Sequence, residues 1–263
     1  MRKMLPWALA GLMLAAPAVT RSQTNSTTAT KNTDQARAVL NAMVQALGGQ
    51  AWLNIRNMES IGHLASFYEG RPQLGTTEYF HYHQWPDYDR IEYTKHRDDV
   101  LFFIGNQGWE VDYQGKKQLP KDQLDGFLRR RAHSIETVVK RWMKDPKTIL
   151  IYEGPRLVQR NLGVQVSLIS ATNQAVTIVV NVNSHLPLRS EFKWRDPAFH
   201  TIETEDVEYD DYHTIDGFPT PLTITVYKDG EMVQQRFRTA VKYNQTLPAD
   251  FWNPDVAARH IKK

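Results

Sequence analysis

From Lys147 nearly to its end, this chain alternates apolar and polar residues with a period of two. Val176, Ile178, Val180 and Val182 alternate with Thr177, Val179 and Asn181. Leu222, Ile224 and Val226 alternate with Thr223, Thr225 and Tyr227. Val233, Phe237, Val241 and Tyr243 are interleaved with Gln234, Arg236, Arg238 and Lys242. Side chains of a strand point alternately to its two faces, so this pattern predicts strands with one face buried and one wet. On that reading Phe237 and Val241 face the core, and Arg236 and Arg238 face water. Asn183-Ser184, Asp216-Gly217 and Asp229-Gly230 supply the turns. Asp-Gly between alternating strands suits a type I′ hairpin. The strands therefore follow one another as an antiparallel meander.

The first half adds further strand-like runs at Tyr79 to Trp85, Asp89 to Lys95, Val100 to Ile104 and Trp109 to Tyr113. Two helices interrupt them. The first runs from about Thr33 to Leu47, with Ala36, Val39, Leu40, Met43, Val44 and Leu47 on one stripe and Gly48-Gly49 as its stop. The second covers about Lys121 to Lys144, with Leu124, Phe127, Leu128, Ile135, Val138, Val139, Trp142 and Met143 on one face. The predicted fold is mainly β with two helices (α+β), a sheet of about ten strands. Open sheets of that size curl or split. A strongly curved antiparallel half-barrel is expected, with the helices covering its apolar concave face. Such a face is either packed solid or leaves room for a ligand, and residue types alone favour neither outcome.

The N-terminus reads as a targeting segment. Arg2 and Lys3 precede an apolar run from Met4 to Val19, and Ala16 and Ala18 stand in A-x-A register. This is the layout of a cleavable signal peptide over residues 1–22, with cleavage after Ala18 or Ser22. The run falls short of a bilayer span, and Pro6 and Pro17 interrupt it. Polar residues 23–32 are expected as a flexible leader, and residues 33–263 as a single domain. The formal net charge of +3 comes entirely from Arg2, Lys3 and Arg21, with no acid among the first 22 residues. A neutral mature chain gives no electrostatic ground for a nucleic-acid or anionic-membrane partner. Cysteine is absent, which excludes disulfides, thiolate metal sites, cysteine nucleophiles and a lipid-modified N-terminal cysteine. The expected location is periplasmic or secreted, with no transmembrane segment in the mature chain.

Motifs for chemistry are sparse. No phosphate loop, dinucleotide fingerprint, nucleophile elbow or H-E-x-x-H is present. His133-Ser134 and Ser184-His185 are adjacent in sequence only, which is not triad geometry. His81 and His83 share a strand face, but two histidines fall short of a zinc site without a third ligand. No metal, cofactor or catalytic residue is assigned. Arg129 to Arg131 with Lys140, Arg141 and Lys144 make the second helix basic. That run reads as a solvated face or a docking face for an acidic partner. Glu203, Glu205, Asp206, Glu208, Asp210 and Asp211 read as a charged edge strand protected against pairing, or as a cation site.

Five short stretches carry a family resemblance: Ala38 to Gly49, Trp85 to Glu92, Gly105 to Asp112, Asp216 to Leu222 and Asn244 to Pro254. Each is weak alone, but their order resembles the periplasmic lipoprotein-carrier (LolA-like) superfamily, and in particular its longer, uncharacterised lipoprotein-sorting-like relatives. The resemblance covers about Asp34 to Pro254. It implies an N-terminal helix, a half-open barrel and a helical lid over a hydrophobic cavity. It also implies an exported carrier of a lipid or lipoprotein acyl chain, acting without enzymatic chemistry. The chain departs from the housekeeping carrier in its length and its acidic stretch, and no residue here matches that carrier's cavity-mouth arginine. An envelope interaction or sensor module that binds a protein partner is the alternative, and an enzyme built on the same fold ranks behind both. The candidate cavity lining is Trp109, Leu128, Ile135, Val139, Trp142, Ile178, Val180, Ile224, Val226, Phe237 and Val241, with Tyr243 beside them.

Overall fold

The computed structural model describes residues 22–261. The expected signal peptide, save Ser22, lies outside the described residues. The chain forms one antiparallel sheet of thirteen strands with helices on both faces. Helices α1 (Ser22–Leu47) and α2 (Gly49–Leu53) precede β1 (Asn57–Tyr68), β2 (Arg71–Gln84), β3 (Tyr88–Tyr93), β4 (Asp99–Ile104), β5 (Gln107–Asp112) and β6 (Gly115–Gln118). Helices α3 (Lys121–Ala132) and α4 (Ile135–Lys140) and a 3-10 turn at Trp142–Lys144 come next. They are followed by β7 (Ile149–Val158), β8 (Asn161–Ile169), β9 (Ala175–Asn181), β10 (Pro187–Arg195), β11 (Ile202–Ile215), β12 (Phe218–Lys228) and β13 (Glu231–Tyr243), and α5 (Pro254–Ile261) closes the chain.

The meander reading holds within each half: every strand pairs with its neighbours in sequence except that β6 and β7 do not pair, and β1 pairs with β13 instead. That single pairing joins the two halves and leaves β6 and β7 as the edges of an open sheet. The α3–α4 segment must then cross from one edge to the other, and it does so over the concave face. The hairpins behave as their sequences require: Asp216 and Gly217 have φ of 51° and 84°, and Asp229 and Gly230 have 52° and 84°.

Helix α1 begins at Ser22, so the expected leader over residues 23–32 is helical backbone. Asn32 fixes it to the sheet. Its side-chain amide donates to Tyr152 O at 2.8 Å, and its Oδ1 accepts from Tyr152 N at 2.9 Å. One side chain thus supplies the donor and acceptor that a further strand would offer to edge strand β7. Ala36, Leu40, Met43, Val44 and Leu47 of α1 pack with Leu150, Val166, Leu168, Val176, Ile178, Val180 and Phe192 of the sheet. Ile135, Val138 and Val139 of α4 complete this cluster. The concave face is therefore filled over β7 to β10.

The structure corrects four expectations. The helix over Lys121 to Lys144 is three pieces, because Ser134 accepts from Thr137 N at 3.2 Å and starts a new helix as its N-cap. The acidic strand β11 is interior, between β10 and β12, rather than an edge. Its carboxylates meet cations on adjacent strands and on α3: Glu203 pairs with Lys228, Glu205 with Arg130 and Asp206 with Arg189. The third correction is Phe237, which is 40% exposed on the convex face. The register shift at Ile61/Gly62, where Thr239 is the unmatched residue of β13, places Arg236 and Arg238 on the same face as Val241 and Tyr243. The last is the helix count: α5, beyond the two helices expected, packs Ala257 on Val100, Phe102 and Val111 of the convex face.

Candidate ligand-binding site beneath α3 and α4

Among the described residues, the concave face leaves room for two cavities in particular. The larger, about 460 Å³, lies between α3 and the strands on either side of the β1·β13 seam. Leu64, Ile91, Leu101, Phe103, Val226 and Phe127 give it an apolar wall, and Tyr79, His81, Arg130, Glu205 and Arg236 give it a polar end. The smaller, about 240 Å³, lies under the start of α4, between Trp52, Met58, Ile135, Tyr209, Tyr212 and Tyr243. Both sizes are in or near the range of about 300–1,000 Å³ typical of small-molecule sites.

The cover of the larger cavity is loosely seated. Helix α3 has no fully buried residue. Its main apolar contact is Phe127, whose ring stacks on Phe103 of β4 with centroids 3.5 Å apart. The short helix that follows is anchored, with Val138 and Val139 in the core. The joint between them is held by His133, which stacks on Phe192 at 4.5 Å. Helix α3 thus rests on fewer buried apolar residues than α4 and is held largely by the polar contacts of its last turn, Arg129 to Arg131.

A charged network secures α4 to β2 and β3. Asp89 is buried and its Oδ1 accepts from His81 Nε2 at 2.9 Å and from His83 Nδ1 at 2.8 Å. His83 Nε2 lies 3.1 Å from Glu136 Oε2 on α4. Glu136 in turn accepts from Lys140 Nζ at 2.6 Å, and Lys140 donates to Ile55 O at 3.1 Å. Arg131 lies 3.7 Å from Asp89 Oδ2 and donates to the carbonyls of Asp87 and Gly105.

Burial opposes charge on His83, but Asp89 and Glu136 outweigh it and push its pKa up to about 10. Burial likewise opposes charge on Asp89, but His83 and His81 bring it down to about 2. The other imidazole behaves differently: burial holds the His81 pKa below its ordinary value despite the hydrogen bond to Asp89. With Asp89 ionised, His81 Nε2 must carry the shared proton, which leaves Nδ1 without one. The two histidines thus bind one carboxylate, His83 charged and His81 neutral. Among the described residues, no group of three or more His, Asp or Glu is arranged to hold a metal ion.

The expected lining residues fall in several places. Val226 lines the larger cavity and Ile135 the smaller. Ile224 and Val241 are buried on the concave face. Ile178, Val180 and Val139 belong to the filled core, with Trp142 packed against it. Leu128 is half-buried on α3. Trp109 sits in the cluster under α5, because its partner in the ladder is Phe102 of the convex face. Phe237 is on that face as well, exposed.

The sequence reading missed Arg236, Arg130, Tyr79 and Glu205 as cavity residues. The basic run does not form a free face either. Arg129 lies over the Trp194 ring at 4.2 Å, Arg130 pairs with Glu205 at 3.5 Å, and Arg131 is turned into the network. The signal that could have found Arg236 is its x-Arg-x-Arg spacing, which puts both guanidinium groups on one strand face with no acid beside them in sequence.

No family model matches the chain, and no curated protein matches it. Solved structures do. A DUF1329 family protein from Desulfovibrio piger superposes with a TM-score of 0.60 at 12% identity, over 86% of this chain and 99% of that one. A putative outer membrane lipoprotein-sorting protein domain from Vibrio parahaemolyticus gives 0.55 at 10% identity, over 88% and 100%. A LolA superfamily protein from Nitrosomonas europaea gives 0.53 at 14%, over 84% and 98%. The chain has a LolA-like fold.

Proposed function

We propose that this protein is an exported carrier that shelters an apolar ligand, such as a lipid or lipoprotein acyl chain, beneath α3. The observation that carries this reading is the larger cavity, about 460 Å³ with an apolar wall, left open in a sheet whose other half is packed solid. The LolA-like fold supports it, since one structural neighbour is described as a lipoprotein-sorting domain. Export rests on the targeting pattern of residues 1–22. Among the described residues, no helix is long and apolar enough to cross a membrane.

The mechanism is physical. Apolar ligand surface leaves water for the cavity, at about 25 cal/mol per Å². Helix α3 lifts about its His133 joint to admit or release the ligand, while α4 stays on its charged base. No group in the cavity is assigned a chemical step. The test is organic extraction of the protein purified from its native envelope, followed by mass spectrometry, with a fluorescent acyl probe added to the delipidated protein. Co-purifying lipid and saturable probe binding are expected. Neither one appearing would overturn the reading.

A further inference from the structure

The larger cavity has more positive charge than its own acids neutralise. Arg236 lies on the concave face between Leu64 of β1 and Ile224 of β12. Among the described residues no carboxylate lies within ion-pair distance of it, and its Nε is buried without a hydrogen-bond partner. The groups around it include Tyr79, Tyr93, His81, Tyr209, Arg130 and Arg238, and nearby Glu205 is already paired to Arg130 at 3.5 Å. Arg238 next to it also has an unpartnered Nε, and its Nη1 donates only to Pro221 O at 3.2 Å. Lys228 at the rim is taken by Glu203 at 2.7 Å.

Two more buried polar atoms without partners line the same space: Tyr79 Oη and Glu205 Oε1. Buried polar groups are almost always hydrogen-bonded, so three orphans lining one cavity call for a common partner. Burial raises the Glu205 pKa against the pull of Arg130, which eases its turning donor when an anion arrives. The rest of the lining is largely hydrocarbon, from Leu64, Ile91, Leu101, Phe103 and Phe127.

We infer that the ligand of this cavity is an anionic amphiphile, its carboxylate or phosphate head seated on Arg236 and Tyr79 and its chain laid along the apolar wall toward Phe127. The inference rests on the carrier reading and narrows it to a ligand class. A neutral acylglycerol or a fully apolar hydrocarbon would leave the guanidinium buried and unpaired, which is the costly state.

The experiment compares three probes of equal chain length, palmitate, hexadecanol and hexadecyl phosphate, on the wild-type chain and on Arg236→Met and Arg236→Lys. Palmitate or hexadecyl phosphate is expected to bind wild type at least about tenfold more tightly than hexadecanol, the weight of one charge-assisted hydrogen bond. Whichever anion wins identifies the head group. Arg236→Met should remove the preference by weakening the anionic probes, and Arg236→Lys should keep part of it. Equal binding of all three probes to wild type, or a preference that survives Arg236→Met, overturns the head-group assignment but not the carrier reading. Binding of none overturns both.

Discussion

Phe103 of β4 and Phe127 of α3 stack face to face, 3.5 Å between ring centroids and 8° from parallel. They join α3 to the strand wall of the larger cavity. The chain has no cysteine of its own. Replacing both residues by cysteine therefore gives one possible disulfide and no competing pairing. Oxidation is expected to pin α3 and slow exchange of a bound acyl probe by an order of magnitude or more, with reductant restoring it. Stopped-flow fluorescence reads the rate, and unchanged exchange in the oxidised form would remove α3 as the gate.

Asp89→Asn removes the carboxylate shared by His81, His83 and Arg131. Removing one member of a buried ionic network leaves uncompensated charge, at a cost of about 3–5 kcal/mol. Urea unfolding should report a loss of that order at neutral pH. A loss within about 0.5 kcal/mol, the range of surface substitutions, would mean the network does not hold α4 to the sheet.

The titration of His83 has a definite sign. Its folded pKa of about 10 lies above its ordinary value of 6.5. Its contribution to stability is fully present below pH 6.5, declines above it and is gone once the pH passes about 10. Asp89 acts in the other direction, its contribution fading as the pH falls from 3.8 toward 2. Melting curves of wild type and His83→Gln should therefore differ most near pH 6 and converge near pH 10. A gap that stays constant over that range would contradict the charged assignment of His83.

Gly62 of β1 leaves no room for a side chain against β13. A Cβ there would stand 2.0 Å from Phe237 O and 2.9 Å from Arg238 Cα. Backbone has to move to admit it, and overpacking of that kind costs about 1–3 kcal/mol. Gly62→Ala is expected to lower stability by that amount and to disturb Arg236 and Arg238 together, which chemical denaturation and the palmitate-over-hexadecanol preference measure separately.

The strand meander was legible because period two and Asp-Gly turns are local signals. What lay beyond the sequence was decided by single residues. One unmatched residue, Thr239, turns Arg236 and Arg238 inward and leaves Phe237 outside, since a slip of one residue exchanges the two faces of a strand. Ser134 ends one helix and caps the next within a stretch of continuous helical periodicity. Trp109 has the residue type of a cavity wall, but its ladder partner Phe102 puts it under α5. The acids of β11 look like edge protection until their cations arrive from adjacent strands and α3. Cross-strand partners at long separation are not readable from alternation alone.

The most direct test of the carrier account is to fill the larger cavity from within. Val226 is 5% exposed and lines it on the sheet side. Equilibrium titration of a fluorescent acyl probe against wild type and Val226→Trp, with circular dichroism to verify the fold, measures the effect. At least a tenfold loss of affinity in the folded variant is expected. Undiminished binding by a folded Val226→Trp would place the ligand elsewhere and contradict the account.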